Sequence, residues 1–382
     1  MATGHIRQRS KKRKDSWTLV VDMGRGPDGK RKQLSRSIKG PKRNAEAELA
    51  RLLHEINTNA FIVPSKITTG EHLDNYLDFK RPSLAYKTAQ SYDSLTTHHL
   101  KPILGNIPLA SLTTARIQIM ISDLQNGGRK DNRPGGLSPK SIRSINGLLF
   151  PALEYAVTLG LIPRNPANGV TLPKYERPDI RVLTEQEIKL VLKALSGTEY
   201  HDLVLLGLAS GARRGEALAL TYSQINEGQA SVAINRSVYQ RKGDVGFKKP
   251  KTKSGNRIIH LPEIAMDMLQ NRKQELISEI GPAAFNGDCF VFEHNGSVWS
   301  PDLFSRQFTK LIGKLGLPRF SFHDLRHTHA THLLNAGVNL RVVSYRLGHS
   351  SPAFTLEFYG HLLPNSDELA ADAANVLLSG TL

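Results

Sequence analysis

The stretches His323-Asp324-Leu325-Arg326-His327 and Leu347-Gly348-His349, the second followed ten residues on by Tyr359, decide how this chain is read. His323 and Arg326 stand three apart, so a helix puts them on one face. Arginine is permanently charged and grips a phosphate through two N–H groups at once. Working back, Ser210-Gly211-Ala212-Arg213-Arg214-Gly215-Glu216 adds Arg213, with Glu216 three residues later and placed to orient it. The run Lys248-Lys249-Pro250-Lys251-Thr252-Lys253 adds lysine. Breaking a phosphodiester without metal requires a nucleophile, here a phenol, and fixed cations where charge builds on the non-bridging oxygens. It also requires a proton donor for the leaving 5′-hydroxyl and groups that handle the phenol proton. Two arginines, a lysine, two histidines and a tyrosine form such a set.

Each member has a plainer reading when taken alone. An isolated tyrosine is usually a packing residue, and Tyr222, Tyr239 and Tyr345 lack the setting that marks Tyr359. Most of the lysines between 248 and 253 read as contacts to the DNA backbone. His323, His327, His329 and His332 invite a zinc reading, but the Glu of a His-Glu-x-x-His motif is missing and no cysteine is near. His329 and His332 read as helix-packing residues. Gly24 to Lys30 matches Gly-x-x-x-x-Gly-Lys, yet Arg31 stands where a phosphate loop has Ser or Thr, and the flanks read as strands. A hairpin turn is the better assignment.

Taken together, the four boxes resemble the tyrosine recombinase, or phage integrase, family. Arg213 lies in its Gly-x-Arg-x-Gly-Glu setting, and His323 with Arg326 forms its His-x-x-Arg box. His349 follows Leu-Gly as the family's second histidine does, and Tyr359, before Gly360-His361, matches its nucleophile. The Pro-Lys-Thr pattern points to Lys251 as the catalytic lysine, with Lys253 on the same turn. Ala212 and Ala353-Phe354 depart from the residue types common there without removing a functional group. The resemblance implies a site-specific recombinase that works through a 3′-phosphotyrosine link and needs no metal or other cofactor. It implies double-stranded attachment sites of core and arm type, a homotetramer on DNA, and an excisionase and a host DNA-bending protein as candidate accessory partners. Neighbouring classes are a type IB topoisomerase and a non-catalytic DNA-binding relative.

The totals agree with a nucleic-acid partner. The 382 residues carry a formal net charge of +17, which favours a polyanion. No apolar run approaches the roughly 20 residues a membrane span needs, so no membrane partner is expected. Cys289 is the single cysteine. With no internal disulfide available, the expected location is cytoplasmic, at the nucleoid. Residues 1–60 hold 15 Lys or Arg against 6 Asp or Glu, a net of +9, which marks a separate basic module.

The expected fold is multidomain α+β. Residues 1–62 read as a small three-stranded sheet plus a helix, with strands at 17–23 and 31–38, a turn at 24–30, and Asn44 capping a helix over 45–57. Its counterpart in the family is the arm-type DNA-binding domain. Residues 67–170 read as all-helical, with helices over 71–79, 87–99, 113–125 and 138–159 and Pro or Gly at each break; they are similar to the core-binding, SAM-like domain. Prolines 163, 166, 173 and 178 mark a linker. Residues 178–382 read as a mainly helical catalytic domain with a small antiparallel sheet. There Thr184 and Glu187 form a capping box, a helix covers 201–209, strands at 230–235 and 256–261 flank the Lys-rich turn, and helices resume near Pro262. Ser366 to Leu378 reads as an amphipathic helix able to dock on a neighbouring protomer.

Overall fold

The structure, a computed structural model, describes residues 3–8, 15–25, 31–57, 66–128, 134–241, 243–249, 253–360 and 366–379. It divides into two compact units, Met1–Arg177 and Pro178–Leu382.

The first unit begins with an antiparallel sheet in the order β1 (Thr3–Gln8), β2 (Ser16–Arg25), β3 (Arg31–Lys39), followed by α1 (Lys42–Asn57). Alternation along β2 turns Trp17, Leu19 and Val21 to one face. Leu19 packs there with Ala45 and Leu52 of α1, flanked by Ile6, Trp17, Ile38 and Leu49. A side chain at Gly4 would meet Leu49 Cδ1 at 2.8 Å, so glycine lets the helix approach the strand. Asn44 proves to lie inside the first turn, because α1 starts at Lys42 and the Asn44 amide already bonds Pro41 O at 3.0 Å. Of the expected turn at 24–30, residues 26–30 lie outside the described residues.

The rest of this unit is helical: α2 (Thr69–Lys80), α3 (Tyr86–Leu95) continuing through a π turn (Thr96–Leu100) into α4 (Lys101–Leu104), α5 (Thr114–Gln125) and α6 (Pro139–Thr158). Thr68 and Glu71 form a capping box on α2, and Thr113 and Ser138 cap α5 and α6. Leu73, Leu100, Ile117, Leu124, Ile145 and Leu149 pack a single core.

The second unit opens with α7 (Glu185–Leu195), started by the Thr184–Glu187 capping box, then α8 (His201–Ser210) and the one-turn α9 (Arg214–Ala217). β4 (Ile225–Asn226), β5 (Ser231–Ile234) and β8 (Arg257–His260) make a three-stranded antiparallel sheet in the order β4-β5-β8. Between β5 and β8 the chain inserts a second hairpin, β6 (Ser237–Arg241) with β7 (Asp244–Lys248), where only a Lys-rich turn was expected. α10 (Glu263–Ile280) follows, then a small hairpin of β9 (Glu293–His294) and β10 (Ser297–Val298) that interrupts the expected helices. The chain finishes with α11 (Pro301–Lys314), α12 (Phe322–Asn335), α13 (Leu340–Leu347), α14 (Pro352–Tyr359) and α15 (Ser366–Ser379). The main core joins Leu203 and Leu206 of α8, Phe304 and Phe308 of α11, Phe322 and Leu325 of α12 and Trp299. A smaller cluster of Ala330, Leu334, Val343, Leu347 and Tyr359 ties α12, α13 and α14 together.

Two helices end on glycines in the left-handed region. Gly211 closes α8 and Gly348 closes α13, each with φ of +64°. A side chain at Gly211 would stand 2.6 Å from His329 and 2.9 Å from Leu347. Gly211→Ala therefore combines a strained backbone with a clash, and it should lower stability by about 1–3 kcal/mol. Denaturation of a Trp17→Phe background, in which fluorescence reports on buried Trp299, measures that loss.

Candidate active site

The two glycine-ended helices meet at one arginine. Arg326, on the inner face of α12, is 2% exposed. Its Nη1 donates to Gly211 O at 2.9 Å and its Nη2 to Leu347 O at 2.6 Å. The carbonyl ends of α8 and α13 thus hold the guanidinium, where helix dipoles favour a cation. Among the described residues, the hydrogen bonds of Arg326 run to these carbonyls and to no carboxylate. Burial and the charge of Arg213 pull its pKa down, but a guanidinium stays charged at neutral pH.

Arg213 precedes α9. Its Nη1 donates to Glu216 Oε1 at 2.8 Å, its backbone N–H to Glu216 Oε2 at 2.9 Å, and its Nη2 to Gly348 O at 3.3 Å. Glu216 orients Arg213 as the spacing suggested, and it carries a second duty. Arg257, at the start of β8, has a fully buried side chain and donates to Glu216 Oε2 at 2.8 Å, to Arg346 O at 2.6 Å and to Gly255 O at 3.2 Å. Burial alone would raise the Glu216 carboxyl; the Arg257 and Arg213 guanidiniums overcome it and hold the pKa below the usual range. Three guanidiniums against one carboxylate leave the site with excess positive charge.

Around this frame lie the other groups. His323 is exposed, and its ring packs edge-on against His327 with centroids 4.7 Å apart. Crowding by protein and then the Arg326 charge lower its pKa. His349 follows the Gly348 cap; its Nδ1 lies 2.7 Å from Thr355 Oγ1, and burial, then Arg326 and Arg213, push it down to about 3. Tyr359 ends α14, is 1% exposed, and places its hydroxyl 2.6 Å from His327 Nδ1. Burial raises this phenol to about 12 while the Arg326 charge draws it the other way. A cleft of about 350 Å³ opens beside these residues, lined by Arg213, Glu216, Lys248, Lys249, His349 and Phe354 among others.

The structure thus gathers Arg213, His323, Arg326, His349 and Tyr359 from α8–α9, α12, the α13 cap and α14. Lys251 lies outside the described residues, between β7 and the turn at Lys253–Gly255. Among the described residues, no group of three or more His, Cys, Asp and Glu could hold a metal ion. The other histidines of α12 face separate partners: His329 Nδ1 meets Leu208 O at 2.7 Å and His332 Nε2 meets Leu183 O at 3.0 Å. Sequence reasoning missed Arg257 and the His327–Tyr359 contact. The sequence carried no signal for Arg257, which the structure places at an inward position of β8 in line with Ile259.

Comparison with known proteins places the chain in a family. Residues 181–366 match the phage integrase family, and residues 68–125 match the phage integrase N-terminal SAM-like domain. The chain is 32% identical over 364 residues to the transposase from transposon Tn916 of Enterococcus faecalis, covering 91% of this chain and 84% of that protein. It is 28% identical over 390 residues to a tyrosine recombinase XerC-like protein of Caldanaerobacter subterraneus subsp. tengcongensis, covering 95% of this chain and 97% of the relative. Among solved structures, the Tn1549 transposon integrase bound to a circular intermediate DNA superposes with a TM-score of 0.69 at 22% identity, over 81% of this chain and 99% of that one. A lambda integrase tetramer bound to a Holliday junction superposes with a TM-score of 0.58 at 19% identity, over 92% and 94% of the two chains. The match over residues 181–366 and the 32% identity to a transposase make the chain a DNA strand-transfer enzyme. The chain belongs to the phage integrase family of tyrosine recombinases.

The Arg257–Glu216 pair makes a prediction. Glu216→Ala leaves a wholly buried guanidinium without its counter-ion, which costs about 3–5 kcal/mol. Urea denaturation should record that loss, whereas a replacement of exposed Glu199 should change stability little.

Proposed function

We propose that Tyr359 attacks a DNA phosphate, forms a 3′-phosphotyrosine link and frees a 5′-hydroxyl, and that a 5′-hydroxyl of the partner duplex then reverses the link on a new strand. The observation that carries this reading is the placement of Arg326, a buried cation held by carbonyls instead of a carboxylate, next to the Tyr359 phenol. Its charge remains available for a phosphate. Arg213 supplies the second cation, fixed by Glu216 on one side and the Gly348 carbonyl on the other. Such preorganised charge stabilises the pentacoordinate transition state without reorganisation at the moment of reaction. His323 and His349 complete the grip on the phosphate, and Lys251 protonates the leaving 5′-oxygen. The covalent link conserves the bond energy, so neither ATP nor a metal is consumed. Replacing Tyr359 by Phe should leave DNA binding intact and abolish covalent capture of a nicked suicide duplex bearing the element–chromosome junction. A protein–DNA adduct from the Phe variant would remove Tyr359 as nucleophile.

The substrate is a pair of attachment sites of a mobile element, as the names of the relatives suggest, and the chain acts at the nucleoid. Residues 1–62 act as the arm-binding domain, 67–170 as the core-binding domain and 178–382 as the catalytic domain. Four copies assemble on two duplexes. Near its end, α15 exposes Val376, Leu377 and Leu378 at 76%, 72% and 58%; that apolar tip docks on a neighbouring copy and closes a ring. An excisionase and a host DNA-bending protein set direction.

The outer face of the N-terminal sheet supports the arm assignment. There Arg7 pairs across to Thr18 and Ser37, and His5 to Val20 and Ser35, a largely polar face suited to base edges and phosphates in the major groove. Arg7→Ala in the full chain should weaken arm-site binding and flatten its log–log salt dependence by about 0.9, while cleavage of a core site is unchanged. Footprints at two salt concentrations separate this from a nonspecific tether, which would give uniform coverage instead of discrete protected repeats.

A further inference from the structure

Tyr359 must lose a proton as it attacks, and neither His323 nor His349 is hydrogen-bonded to it: the group at its hydroxyl is Nδ1 of His327, 2.6 Å away. His327 lies one turn beyond His323 on α12 and has no part in the reading above. We propose that His327 is the catalytic base of the strand-cleavage step, taking the phenol proton on Nδ1 as the Tyr359 oxygen bonds to phosphorus.

Geometry supports the assignment from both sides of the bond. The phenol stands within the field of Arg326 and touches His327, so the nucleophile already sits between a cation for the phosphate and an acceptor for its own proton. The acceptor must be neutral, and it is. Protein burial, then the neighbouring His323 ring, bring His327 down to about 4. With Nδ1 unprotonated, the ring carries its hydrogen on Nε2. The groups facing it are His323, Asp324 and Arg326 on its own helix, Tyr359 from α14, and His349 from the α13 cap.

The step balances. The phenol O–H bond breaks while the O–P bond forms, and the proton moves to Nδ1, giving an imidazolium. The P–O5′ bond breaks, and the departing oxygen receives its proton from the lysine side. In the joining step an incoming 5′-hydroxyl attacks phosphorus and gives its proton to the lysine side, the P–O(Tyr359) bond breaks, and His327 returns its proton to the departing phenolate. The resting phenol, at about 12, does not ionise by itself. Transfer occurs as bonding to phosphorus strips the oxygen of its affinity for the proton, the usual timing in general-base catalysis. Arg326 beside the imidazolium keeps it short-lived and favours return of the proton at ligation. Tyr359 is covered in the DNA-free chain, so entry of DNA must uncover the oxygen.

The proposal rests on Tyr359 as nucleophile, and the test separates the two. Full-length wild type, His327→Ala and His327→Asn are reacted with a nicked duplex bearing the element–chromosome junction, and with the same duplex carrying a 5′-bridging sulfur at the scissile phosphate. Filter binding confirms equal DNA affinity. Asn keeps a hydrogen-bond acceptor near the Nδ1 position but takes no proton. Both variants should cleave about 10²-fold more slowly, and the sulfur leaving group should not relieve the defect, because it bypasses protonation of the leaving oxygen and not deprotonation of the phenol. Wild-type cleavage should be flat from about pH 5 upward, since His327 is already neutral there, while the variants should speed up with pH as hydroxide replaces the missing base. If His327→Asn matches wild type, the residue only positions Tyr359. If His327→Ala is faster, it is a latch. Relief by the sulfur substrate would assign it to the leaving group. Each of these results overturns the proposal. Absence of any covalent complex in wild type would instead sink the nucleophile reading on which it stands.

Discussion

A guanidinium buried away from water is stable only where fixed dipoles replace its hydration. Arg326 meets that condition by drawing in the carbonyl ends of α8 and α13, and much of the second unit follows from it. Each helix must stop at the right residue, which is why both end on left-handed glycines. Helix α12 must run between them, which the packing of Leu325 and Ala330 into the two neighbouring clusters provides. Among the described residues, no carboxylate hydrogen-bonds Arg326, so its charge is not neutralised by a direct partner. Had the counter-ion been a side chain, the fold would be no less stable and the site would be closed to phosphate.

The second ion cluster divides its labour differently. Glu216 is spent on Arg257 and Arg213 together, so that one carboxylate holds the buried Arg257 on one side and the half-exposed Arg213 on the other. Arg257 also bonds the carbonyls of Arg346 and Gly255, which ties β8, the last turn of α13 and the turn following the Lys251 segment. A network of this kind is costly to break at any one member, since each loss strands a buried partner.

Much of the site was legible from spacing because its chemistry depends on residue types that few packing roles demand. Two arginines, a Leu-Gly-His and a later tyrosine have little reason to occur together otherwise. What escaped notice is equally physical. Hairpin β6–β7 was hidden because its strands, Ser237–Arg241 and Asp244–Lys248, are short and largely polar. Arg257 was unreadable because an inward position in a strand is normally apolar, and exposed Ile258 inverts the expected pattern. His327 shares a helix with three other histidines, and sequence alone cannot say which ring turns toward a tyrosine that arrives from another helix.

The order of the parts along the chain has a consequence during synthesis. The basic N-terminal module is made first, Arg213 and the frame of α8 next, and Tyr359 after them, on a helix that packs with α12 and α13. A nascent chain therefore carries every Lys and Arg of the sequence before Tyr359 is added. If Tyr359 is the nucleophile, as proposed, strand cleavage is withheld until α14 has been made.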